Sequence, residues 1–270
     1  MGKTRLDIYL AVVSIGEIFR HNTIREIRKT HNHVLVGVLL NVVQTVLLVG
    51  GFFAMNHVMG SPAAIRGDLL IYLITGVFLF SIHVRAMSAV LAADGPTAPL
   101  MSHGPMSTTL AIASAAFGAL YTQVYSMLIV LGLYHVLWEP IEIYRPAGFA
   151  GTVLLAWLSG VAIGIALAAV KPRFPSLASL AAQVYSRASM IGSGQMFVAN
   201  MMPAYLLVWF EWNPLFHVID QARGYAFLNY NPRLTSLGFP VLATLACLIL
   251  GLLAEGHMRR HVSLSWFARR

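Results

Sequence analysis

Acidic residues are scarce in this chain: Asp and Glu together number 10 among 270 residues, and none lies in the middle of a long apolar segment. Carriers that couple transport to protons or sodium ordinarily bury carboxylates near the membrane midplane, so ion coupling is not expected. Cysteine is scarcer still. The single Cys247 lies in an apolar run, which excludes an intrachain disulfide, leaves the redox compartment unread and points to packing. No G-x-x-x-x-G-K-[ST] loop is present, because the only Lys-Thr pairs, Lys3-Thr4 and Lys29-Thr30, lack the upstream glycine. The chain is therefore not expected to bind or hydrolyse ATP itself, and any energy source belongs to another subunit. Ten histidines are scattered without an H-E-x-x-H, and neither His83 nor the serine of "GSG" at 192–194 has an obvious catalytic companion. Catalytic residues, metal ligands and cofactors in this chain are expected to be none.

Charge of any sign is low. Only 10% of residues are charged while 58% are hydrophobic, with a mean hydropathy of +0.72; a soluble domain carries about a quarter charged residues. No charged, loop-rich block is long enough to fold separately in water, so the reading is one membrane domain over 1–270. The net charge of +8 does not indicate nucleic acid, because Lys and Arg gather at the chain ends and in one short loop. No short apolar run ending in small residues occurs within 1–33, so the first span is expected to act as an uncleaved anchor.

Six segments meet the roughly 20 apolar residues that a bilayer crossing needs: 34–56, 69–92, 108–137, 148–170, 176–200 and 237–255. The fifth is the most polar, containing Tyr185, Ser186, Arg187 and "GSG". With both ends cytoplasmic, twelve Lys and Arg fall on the inner side, four on the outer side (Arg66, Arg145, Arg223 and Arg233), and Arg85 and Arg187 within spans. That split predicts six spans with both ends cytoplasmic, since an odd number would put the basic tail outside. Segment 1–33 then reads as a cytoplasmic interfacial region, with a surface helix over 5–20, and 256–270 as a cytoplasmic tail.

A polar stretch interrupts the apolar pattern before the last segment. In "EWNPLFHVIDQARG", Asn213 can cap a helix, Pro214 suits its first position and Gly224 a stop, predicting a short helix over 214–223. It is too short to span and follows Trp209 and Trp212, so it is expected at the outer face or dipping into it, with Asp220 paired to Arg223. Elsewhere, Phe117, Tyr121 and Tyr125 recur every four residues and share one helical face. Arg187 is costly in lipid and should face a cavity or partner. Ala156, Gly160, Gly164 and Ala168 form a small-residue face suited to close helix packing.

"SGQMFVANMMP" followed by "EWNPLFHVIDQARG" and a final apolar span resembles the C-terminal part of type-two ABC exporter permeases that move bacterial polysaccharides, especially the capsule-exporting branch. The matching positions are Ser193, Gly194, Phe197, Pro203, Asn213, Pro214, Leu215, His217, Asp220 and Arg223. More loosely, "TIREIRKTHNHVLVGVLLNVV" is similar to the family's surface helix entering its first span. The resemblance implies an all-α membrane fold: six transmembrane helices, an N-terminal interfacial helix and short outer re-entrant helices before the last span. It implies a homodimer in the bacterial inner membrane, docked on an ATP-binding cassette subunit that carries ATP and Mg, with periplasmic or outer-membrane export components as further partners. It assigns the loop with Asp94, Gly95, Pro96, Pro99 and Pro105 to coupling. The substrate path is expected at Phe117, Tyr121, Tyr125, Tyr185 and Arg187, and an outer gate at Trp209, Trp212, Asn213, Pro214, His217, Asp220 and Arg223. The alternatives are an exporter of lipid, drug or another small molecule, and a membrane enzyme or scaffold without transport.

Overall fold

In a hydrocarbon layer a chain must satisfy its own backbone N–H and C=O groups, and a long apolar segment does so as an α-helix. The computed structural model describes residues 16–27, 34–58, 69–93 and 108–267, and among these the regular structure is helical throughout. The helices are α1 (residues 16–27), α2 (Val34–Val58), α3 (Leu69–Ala92), α4 (Thr108–Leu137), α5 (Pro146–Val170), α6 (Pro175–Gly192), α7 (Ala204–Phe210), α8 (Pro214–Ala226) and α9 (Gly238–Phe267), with a 3-10 turn at Ala199–Met201. Five of them, α2, α3, α4, α5 and α9, are long and apolar enough to cross a membrane. The protein is an all-α, multi-pass membrane protein.

Among the expected spans and the N-terminal helix, three boundaries depart from the sequence expectation by more than two residues. The fifth segment, expected over 176–200, is helical only to Gly192. Four serines, Gln183 and Arg187 leave α6 outside the set of helices apolar enough to span, and Gly194, at φ +69°, turns the chain just beyond its end. A left-handed residue is where glycine carries no steric penalty. The last helix, expected to end near 255, continues to Phe267 through most of the presumed tail, which contains no proline to stop it. Where a surface helix is expected over 5–20, the chain is helical over 16–27, past the expected end; residues 5–15 of the predicted stretch lie outside the described residues. This helix packs on α4, where Phe19 meets the Phe117 ring edge-on at 5.5 Å and Gly118 faces Thr23, Glu26 and Ile27.

α3 is the centre of the bundle. It packs against α4 and α5, α5 packs against α9, and α8 is inserted among α3, α5 and α9. Leu73, Val77, Phe78, Leu79, Ala86 and Met87 are fully buried. Lipid tails are as apolar as leucine, so helices associate in a membrane through close packing and hydrogen bonds. The small-residue face of α5 supplies that approach within the chain: a Cβ on Gly160 would strike the His83 carbonyl, and one on Gly164 would come 2.9 Å from the Met87 carbonyl oxygen. α3 and α5 run side by side in the same direction, as the contacts of His83 with Ser159 and of Lys171 Nζ with the Leu91 carbonyl (2.6 Å) show.

Candidate functional site

The polar stretch forms the helix its capping residues predict. The Asn213 side chain accepts the Leu215 N–H at 3.0 Å, and Pro214 occupies the first turn, where no N–H is needed. The helix is enclosed by the rest of the chain: Leu215, Phe216, Val218, Ile219 and Ala222 of α8 are at most 1% exposed, as are Asp220 and Arg223. Apolar residues on several sides of α8 let it be enclosed, provided every polar side chain finds a partner. Gly224 is not the stop. The helix continues to Ala226, and Gly224 instead admits the Pro232 ring, whose Cδ would lie 2.5 Å from an added Cβ.

Asp220 and Arg223 do not satisfy each other as expected. Arg223 Nη1 donates to the carbonyls of Gly194 and Phe197, both at 2.9 Å, and Nη2 donates to that of Gln195 at 2.8 Å. Its guanidinium also lies over the Tyr72 ring. The planar fork is suited to this, because the turn after α6 exposes three carbonyls with no helical partners. Gly76 on α3 makes the space: a Cβ there would come 2.9 Å from both Arg223 Nη2 and the Gln195 carbonyl oxygen. Asp220 accepts from Tyr230 Oη and from Thr235 Oγ1, the latter at 2.7 Å. Burial, then the Asp220 charge and hydrogen bond, hold the Tyr230 phenol well above its ordinary pKa, so it stays a donor.

Neighbouring bonds close the module. His217 Nδ1 accepts the Ser236 N–H at 3.2 Å, so the proton sits on Nε2, which donates to the Glu211 carbonyl at 2.9 Å. Gln221 donates to the Thr235 carbonyl at 2.8 Å. Asn200 donates to the Asn231 carbonyl and accepts the Arg233 N–H. Segment 193–236 is thereby a single hydrogen-bonded unit seated on α3 and α5. By contrast, Trp209 and Trp212 are 79% and 73% exposed, and α7 buries none of its side chains.

The expected path residues divide between two helices. Phe117, Tyr121 and Tyr125 form an exposed stripe on α4, with Tyr121 and Tyr125 stacked at 5.7 Å and Phe117 against Trp157 at 5.0 Å. Tyr185 and Arg187 are on α6. Tyr185 is turned inward: its hydroxyl is 2.8 Å from His83 Nε2, while His83 Nδ1 is 2.8 Å from Ser159 Oγ. Since Ser159 Oγ donates to the Ala156 carbonyl, it accepts from Nδ1–H, and Nε2 accepts from Tyr185. Arg187 is exposed beside a groove of about 390 Å3 between α3 and α6. Asp94, Gly95, Pro96, Pro99 and Pro105 lie outside the described residues.

Several participants were not apparent from the sequence. Tyr72, Gly76, Gln195, Tyr230 and Thr235 complete the module around Asp220 and Arg223, and Asn41, Gln123 and Ser126 form a buried polar contact between α2 and α4. The available signal was a polar residue or glycine inside an apolar span, which marks a partner without naming it. Among the described residues no group of three His, Cys, Asp or Glu side chains is placed to hold a metal. No protein-family model matches the chain, and no curated protein matches it in sequence.

Proposed function

We propose that this chain is the transmembrane permease subunit of an ATP-driven exporter of cell-surface polysaccharide. It works as a homodimer in a bacterial inner membrane and is energised by a separate ATP-binding subunit. One observation carries the reading. The positions through which the sequence resembles polysaccharide-exporting permeases, among them Gly194, Phe197, Asn213, His217, Asp220 and Arg223, meet in one buried module. Arg223 bonds directly to Gly194 and Phe197 and Asn213 caps Leu215, while His217 and Asp220 tie the same helix to Glu211, Tyr230, Thr235 and Ser236.

In this reading α6 is a sixth span, about 27 Å long at 1.5 Å per residue. Its polar side chains face a water-accessible path, where intramembrane polarity is tolerated. α7 and α8 then form a re-entrant pair at the outer face, Trp209 and Trp212 sit at the interface beside the exit, and both chain ends are cytoplasmic. The α4 stripe supports a sugar cargo, because pyranose rings have apolar faces that stack on Phe117, Tyr121 and Tyr125 while the polymer slides.

Deletion of the subunit is the test, with intracellular and surface polymer measured together. Polymer retained inside and missing from the surface is expected; an unchanged surface layer overturns the reading. Reporter fusions after Lys171 and Arg270 are expected in the cytoplasm, and fusions near Glu142 outside. A periplasmic C-terminus overturns the six-span topology.

A further inference from the structure

Two arginines stand at membrane depth on either side of one exposed stripe of α3. Arg85, on α3 itself, reaches towards α2, where one Nη2 hydrogen bond to Gln44 at 2.8 Å uses one of its five donors. Arg187, on α6, has no hydrogen-bond or ion-pair partner among the described residues. It borders the groove that Gln183 and Met190 share with Phe80 and Ser88 of α3. Arg85 and Ser88 are three residues apart on α3, so they fall on neighbouring positions of the same face. The sequences of α2, α3 and α6 contain no Asp or Glu. The groove beside Arg187 is lined by α3 and α6 alone, and neither helix carries a carboxylate to neutralise it; Arg85 stands on the adjoining face of α3.

Depth makes this unusual. Tyr185 is bonded to His83, which lies about 13 Å from the nearer end of α3 at 1.5 Å per residue. Arg187 follows two residues later, close to the middle of a hydrocarbon layer about 30 Å thick. An unpaired guanidinium there is costly and ordinarily marks an ion or substrate route. Its fork matches two oxygens of a carboxylate or phosphate, and Gln183 and Ser88 add neutral donors beside it.

We propose that the α3–α6 groove is a binding site for an oxyanion carried by the cargo, a carboxylate or a phosphate, with Arg187 as its principal ligand and Arg85, on the adjoining face of α3, as a more distant positive group. This rests on the export reading. The oxyanion belongs either to acid groups along the polymer or to a phosphate joining it to a lipid, and the two sources are separable by experiment.

The purified full chain in phosphatidylcholine nanodiscs is titrated with short oligogalacturonate against neutral oligogalactose, and with dodecyl phosphate against dodecyl maltoside. At least one acidic probe is expected to bind about tenfold tighter than its neutral counterpart, as one or two charge-assisted hydrogen bonds give, and to weaken as salt rises. Arg187→Gln removes about that factor, Arg187→Lys keeps part of it, and Arg85→Gln lowers it less. Preference for oligogalacturonate assigns the site to the polymer, preference for dodecyl phosphate to a lipid-borne phosphate. Acidic probes binding no tighter than neutral ones overturn the proposal, as does unchanged binding by Arg187→Gln that elutes and melts like the parent. If deletion leaves polymer export intact while Arg187-dependent anion binding persists, the export reading fails and the anion site stands.

Discussion

The guanidinium carbon of Arg223 lies 4.0 Å from the centre of the Tyr72 ring, with the carbonyls of Gly194, Gln195 and Phe197 around its nitrogens. One buried charge thus fastens the turn after α6 to the face of α3. Arg223→Lys keeps the charge but replaces the fork by a single ammonium that cannot reach all three carbonyls in plane. It is expected to lower stability by about 2–3 kcal/mol, in the range of lost hydrogen bonds to a charged group. Arg223→Ala should cost more. The unfolding midpoint in mixed detergent measures both, and a Lys variant as stable as the parent would show that the fork does not hold the turn.

Asp220 depends on Tyr230 and Thr235, not on Arg223 for its hydrogen bonds. Double-mutant cycles should rank the couplings accordingly. Asp220→Ala with Tyr230→Phe is expected to give about 1.5–3 kcal/mol, and Asp220→Ala with Arg223→Ala under about 1 kcal/mol. The reverse order would mean that charge attraction, not the phenol bond, secures the carboxylate.

Tyr230 predicts a pH dependence. Its folded pKa is raised from 10.0, chiefly by burial and then by Asp220, so the unfolded chain releases this proton first. The sign follows from linkage: the contribution is fully present below pH 10 and is lost as pH rises beyond it. Parent and Tyr230→Phe unfolding midpoints should draw together progressively as pH rises above about 10, where the parent alone loses this contribution. Parallel pH curves would remove Tyr230 as the source.

Two glycines of α5 should respond oppositely to the same change. Gly160 abuts the α3 backbone at the His83 carbonyl, whereas a Cβ on Gly151 meets nothing within 4 Å. Gly160→Ala is expected to destabilise by about 1–3 kcal/mol, the usual range for overpacking. Gly151→Ala should be neutral or stabilising by up to about 1 kcal/mol through helix propensity. Thermal aggregation midpoints of the two variants decide; equal effects would mean that α3 and α5 are not in backbone contact at Gly160.

The tight α3–α5 contact also sets the place of His83, whose ring bridges Ser159 and Tyr185. Tyr185→Phe removes the cross-helix bond from α6 while leaving the ring. Hydrogen exchange of the α6 amides is expected to speed up in Tyr185→Phe, with α5 unchanged. Unaltered α6 protection would show that the buried side chains of this helix, Ala178, Ala182 and Ser189, suffice to hold it.

Local chemistry was enough to establish much of this molecule from its residues. Backbone groups in lipid must pair within their own segment, so apolar length alone produced α3 at 69–92 and α4 at 108–137 with the observed ends. Asn213 and Pro214 likewise determined the start of α8, because capping involves residues within one turn. What lay beyond local chemistry was partnership. Spacing put Asp220 and Arg223 on one helical face and suggested a pair, but only packing brought Tyr72, Gly194, Tyr230 and Thr235 to them from distant parts of the chain. The same holds for burial. An amphipathic pattern cannot distinguish a helix on a surface from one enclosed by others when its polar groups find bonds inside. The place of α8 was therefore decided by tertiary hydrogen bonds, which release its charges from the need for water.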